Sequence, residues 1–141
     1  MNERDILSAL LSAGEVTQED YEPVSIVRRG KKVMEFKVRP LSDEESQRCW
    51  KAATRYGPAQ AGRPRTALET NTALYRSHLI LAASVDDIWS SPELLQKYEV
   101  LQAVDVIDKV LRVGEKQRVI RKIDEISGFG DNALAETAKN S

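Results

Sequence analysis

The chain has 141 residues, 41% of them hydrophobic and 30% charged, with a formal net charge of −1. That length suits one domain burying roughly two thirds of its unfolded surface, and the apolar content excludes wholesale disorder. A near-neutral balance excludes a global field drawing nucleic acid or an anionic membrane, so any basic patch is local.

The single cysteine, Cys49, excludes an internal disulfide and fits a cytoplasmic setting. The N-terminus lacks a basic leader, and no run approaches the ~18 to 20 apolar residues of a membrane span. Residues 2–12 place Ile6, Leu7, Leu10 and Leu11 on one face of a short helix that Gly14 would end. Such a helix is marginal alone, so it either docks or forms a mobile arm. Glu15 to Pro23 is acidic and aperiodic and reads as a connection.

From Val24 the period changes to two. Residues 25–28 and 33–38 flank Arg29-Gly30-Lys31-Lys32, and Met34, Phe36 and Val38 alternate with Glu35, Lys37 and Arg39. This is a β-hairpin with one buried face, which requires helices packed against it. Ser42 to Glu45 has capping-box spacing and opens a helix carrying Cys49, Trp50, Ala53 and Tyr56 on one side, with Gly57-Pro58 as its end. AQAGRPR, residues 59–65, is a Gly/Pro-interrupted loop.

Thr66 to Glu69 repeats the capping-box spacing and predicts the start of a central helix through Leu68, Leu74, Tyr75, His78, Leu79 and Ala82. Ser91-Pro92-Glu93 starts a further helix, with proline suited to its first turn. Residues 103–113 carry a stripe of Val104, Ile107, Val110 and Leu111, and Gly114 reads as a hinge to the next helix. There Val119, Ile120, Ile123 and Ile126 recur at helical spacing, leaving Lys116, Arg118, Arg121, Lys122 and Glu125 for water. Gly128 sits where the helix end wants a left-handed residue, and Phe129 follows where an apolar contact returns to the last turn.

Catalysis needs groups with opposed roles held together, and this chain offers His78 alone, on an apolar helix. Cys49 beside Trp50 reads as a small core residue. Asp43-Glu44-Glu45 and Asp86-Asp87 lack calcium-loop spacing, and carboxylates in a first helical turn answer the helix dipole. No cofactor, metal or catalytic site is expected. The cluster Arg28, Arg29, Lys31 and Lys32 supports an alternative function, a small nucleic-acid-binding regulator, although no aromatic residue interleaves with it to stack on bases. Trp89, in a short connection, and Phe129, after a helix end, each either cap the core or project into a partner.

The order of features is more distinctive than any one of them. Phe36-Lys37-Val38-Arg39-Pro40-Leu41-Ser42 leads into a helix; then come Ala82 to Asp87, Ser91 to Leu94, Leu111 to Glu115, and Ile126-Ser127-Gly128-Phe129. In this order they resemble the tail-assembly chaperones of tailed bacteriophages and phage-like elements, particularly those encoded beside contractile tails. The resemblance covers about residues 22 to 130. It departs at Asp86-Asp87-Ile88-Trp89, where a proline before the apolar residue is the family's habit, and at Lys116, where an aromatic residue is.

The resemblance implies a non-enzymatic protein that binds the helical tape-measure protein and keeps it soluble until the tail tube assembles. The tube protein is then a second partner, and the chaperone is absent from the mature virion. The expected fold is α+β and predominantly helical, an N-terminal hairpin packed on a bundle of about five helices. The expected organisation is a short helix and connection over 1–22, the hairpin and helical domain over 23–130, and a flexible tail over 131–141.

Overall fold

The computed structural model describes residues 2–128, which form four β-strands and six α-helices. Helix α1 (Glu3–Ala13) starts at Asn2, whose side-chain oxygen accepts from the Asp5 amide at 2.9 Å, and stops at Gly14. A single 3-10 turn at Gln18–Asp20 leads into strand β1 (Glu22–Arg28), which pairs antiparallel with β2 (Lys31–Val38). Arg29 and Gly30 join them with φ of 55° and 74°, the two left-handed residues of a type I′ turn. Ile26 faces Met34 but Val27 faces Lys32, so Val33 is the extra residue of a bulge.

Helix α2 (Asp43–Ala52) carries the expected capping box: the Glu45 amide donates to the Ser42 hydroxyl at 3.2 Å, and the Ser42 amide donates to the Glu45 carboxylate at 3.2 Å. It ends earlier than Gly57-Pro58. Tyr56 belongs instead to β3 (Thr54–Tyr56), which pairs with β4 (Ala67–Thr70) in a second small hairpin. Thr66 to Glu69 therefore starts no helix, and Leu68 is exposed. The hydroxyls of Thr54 and Thr70 meet at 2.6 Å across this pair, and the helix waits for Asn71, whose side chain accepts from the Leu74 amide at 3.0 Å.

Helix α3 (Thr72–Ala83) is the centre of the molecule: Tyr75, Leu79, Ile80 and Ala83 have no exposed surface, and it packs on α2, α5 (Ala103–Val110) and α6 (Val113–Ile126). Tyr75 meets Trp50 edge-on at 5.0 Å, and its hydroxyl shares a 2.8 Å hydrogen bond with Ser46. After α3 the chain runs beside β2, with the Arg39 amide donating to the Ala83 carbonyl at 2.8 Å and the Val85 amide to the Lys37 carbonyl at 3.0 Å. Short α4 (Pro92–Lys97) has Pro92 in its first turn.

The inward face of the hairpin, Val24, Ile26, Phe36 and Val38, closes one side of this core, and β1 lies on α6. Five helices thus back one hairpin, with α1 contributing no buried residue. Two expectations for α6 need correction. Gly114 lies inside its first turn, so the break falls at Leu111-Arg112. Lys116 is only 7% exposed, because it stands three, four and seven residues before Val119, Ile120 and Ile123 and shares their stripe. Its ammonium group is hydrogen-bonded to the Asp108 carboxylate of α5, and so is the Ser77 hydroxyl. Gly128 has φ of 86°, the left-handed helix end its position requires. Phe129, Gly130 and the 131–141 tail lie outside the described residues.

Candidate partner-binding surfaces

Alternation along β1 puts Arg28 on the same face as Val24 and Ile26, so its guanidinium turns toward the helices rather than toward water. There its Nε donates to one Glu115 carboxylate oxygen and its Nη2 to the other, each at 2.8 Å, and Nη2 also donates to the Val110 carbonyl at 2.6 Å. Glu115 is buried in the first turn of α6 and accepts from the Arg112 amide at 2.9 Å. The Arg28 hydrogen bonds hold the Glu115 carboxyl down at about 2, against the opposing effect of its burial. This bidentate pair ties the hairpin tip to the α5–α6 corner.

The basic cluster is therefore divided by its surroundings. Arg28 is committed to Glu115, and Lys32 sits 3.4 Å from Glu35. Arg29 and Lys31 make no ion pair among the described residues, and with Arg28, Val33 and Arg112 they line an open cleft of about 440 Å³.

Trp89, a candidate for partner contact, is a core residue: it is 2% exposed, meets Phe36 edge-on at 5.6 Å, and donates its indole N–H to the Ser84 hydroxyl at 2.9 Å. Its aromatic body is buried and its polar edge is satisfied within the chain. Cys49 is also buried, which pushes its thiol up to about 11 and leaves little thiolate at neutral pH. Desolvation lowers the pKa of half-buried His78, opposed by nearby Asp108 and Asp105. Among the described residues, no group of three or more His, Cys, Asp or Glu side chains is placed to hold a metal ion, and no helix is long and apolar enough to cross a membrane.

Among the described residues, four exposed large apolar side chains lie together on α1. Ile6, Leu7, Leu10 and Leu11 are 44%, 57%, 67% and 74% exposed, a stripe about four residues long on a helix with no buried side chain. Contiguous exposed apolar side chains of this kind are characteristic of interaction surfaces.

A family model described as phage XkdN-like tail assembly chaperone protein matches residues 7–140. The chain belongs to this family. No curated protein matches it. Among solved structures, the crystal structure of the protein yqbn is similar in fold, with a TM-score of 0.50 and 21% identity over 78% of this chain and 87% of that one.

In this tail assembly chaperone, four of the five stretches that carried the resemblance in sequence form joints in space. The Leu41 amide, beside the cap of α2, donates to the Ser127 hydroxyl at the end of α6 at 2.9 Å. Glu115 at the start of α6 receives Arg28. The Ala83–Val85 segment is stitched to β2. These stretches hold the chaperone's frame, and the exposed apolar stripe of α1 lies outside them. Sequence reasoning missed Glu115 as a structural centre, although it stands four residues before Val119 on the buried stripe.

Proposed function

We propose that this chaperone binds the tape-measure protein through the apolar stripe of α1 and keeps it soluble until the tail tube polymerises around it. The carrying observation is that α1 is a capped, amphipathic helix with its whole apolar face in solvent. A long helical partner has matching stripes that would otherwise self-associate, and stripe against stripe is the helix-in-groove mode of recognition. Each Leu or Ile side chain fully covered contributes ~1.5 to 3 kcal/mol. An eleven-residue helix is only ~16 Å long, so the contact stays small enough to be displaced by the tube protein. The chaperone acts without chemistry, in the host cytoplasm, and leaves before the virion is complete.

Co-expression with the tape-measure protein of the same tail gene cluster tests this. The wild-type chain is expected to co-purify with it and raise its soluble fraction several-fold, and Leu7→Glu/Leu10→Glu to abolish both effects while remaining folded. Equal solubility of the partner with and without the chain, with no co-purification, overturns the proposal.

A further inference from the structure

The cleft at the hairpin tip has features that folding alone does not call for. Arg29 holds φ of 55° in a turn position where asparagine or glycine is favoured, so a charged side chain is kept there at a conformational cost. The bulge at Val33 re-aims an apolar side chain into the cleft and leaves it 52% exposed. Arg28 forms one wall, fixed in place and neutralised by Glu115. Around Val33 this leaves three cations, Arg29, Lys31 and Arg112, without an ion pair among the described residues, and Val113 beside Arg112 is 69% exposed. The cleft is lined by basic side chains and one apolar side chain, Val33.

The chain itself contains the complementary element. Helix α1 has Glu3 and Asp5 in its first turn and an uncovered Ile/Leu stripe, and the connection after it adds Glu15, Glu19 and Asp20, against Arg4 alone as a basic residue. The basic lining complements the acidic first turn in charge, and Val33 complements the Ile/Leu stripe in apolar character. Residues 14 to 21, with the 3-10 turn at Gln18–Asp20 kept, can span up to ~22 Å, enough for α1 to leave its own body.

We propose that the cleft receives α1 of a second copy, two copies exchanging arms reciprocally in a closed dimer. No described residue lining the cleft is aromatic and able to stack on a base, which favours an acidic helix over nucleic acid. The contact stands independently of what α1 later binds. Joined to the reading above, exchange keeps the stripe covered until the tape-measure protein competes for it.

Sedimentation equilibrium of the full chain between ~1 and 200 μM, at low and high salt, tests this. The wild type is expected to show a monomer–dimer equilibrium that weakens with salt. Arg29→Glu/Lys31→Glu/Arg112→Glu and, separately, Glu3→Lys/Asp5→Lys are each expected to weaken it at least tenfold. The chain carrying both sets is expected to recover it. All five positions are exposed, and a cooperative thermal transition with a wild-type circular dichroism spectrum in the dilute, monomeric range serves as the folding control. A monomer at every concentration, α1 docked within its own chain, a dimer indifferent to either set, or no recovery in the combined variant overturns the proposal, as does tighter binding of the cleft to an oligonucleotide than to a peptide of residues 2–22.

Discussion

Glu115 links the hairpin to the helices through one carboxylate, and its protonation state decides whether that link exists. Its folded pKa, about 2, lies below the ordinary 4.5, so its stabilising contribution is complete above about 4.5 and is lost as pH falls toward about 2. Glu45, held low by hydrogen bonds from Arg39, acts in the same direction. Denaturant midpoints measured from pH 6 to 2 are expected to fall steeply below about 4.5 in the wild type, and Glu115→Gln to lower the midpoint at pH 6 and flatten that acid limb; an unchanged slope contradicts the assignment. At the turn, Arg29→Asn relieves a left-handed arginine and is expected to raise unfolding free energy by up to ~1 kcal/mol, read from the same curves. The sense of Arg28, Glu115 and Lys116 was legible in the periodicity: each falls on a buried face by spacing. Their charges argued for water, and burial prevailed because each has a partner, Arg28 and Glu115 in each other and Lys116 in Asp108.

Among the elements, the long periodic pieces were readable and the short ones were not. The hairpin, α2 with its capping box, α4 with its proline and α6 with its glycine stop each rest on local signals that tertiary packing reinforces. Strands β3 and β4 have three and four residues, too few for alternation to register, and Thr66 to Glu69 offers a capping-box spacing that the β-pairing of Thr70 with Thr54 overrides. Asn71 is the cap that α3 uses. Asn71→Ala is therefore expected to lose ~1 kcal/mol, whereas Thr66→Ala changes stability by less than ~0.5 kcal/mol, both from chemical denaturation. The reverse order would return the helix start to Thr66.

At the scale of the molecule, the frame and the proposed binding surface are separate. Hairpin, α2, α3, α5 and α6 share one core, locked by the Leu41–Ser127 and Arg28–Glu115 joints, while α1 contributes no buried residue to it. The sequence showed α1 as an amphipathic helix that either docks or moves, and periodicity alone cannot say which, since a stripe reads the same against a core or a partner. Because α1 adds nothing to the core, Leu7→Glu/Leu10→Glu is expected to leave the thermal midpoint within about 2 °C of the wild type. The separation of frame from surface is tested most directly by measuring that midpoint together with the amount of tape-measure protein that co-purifies with the same double variant. The expected result is an unchanged midpoint with the partner lost; a lowered midpoint, or undiminished capture of the partner, would contradict it.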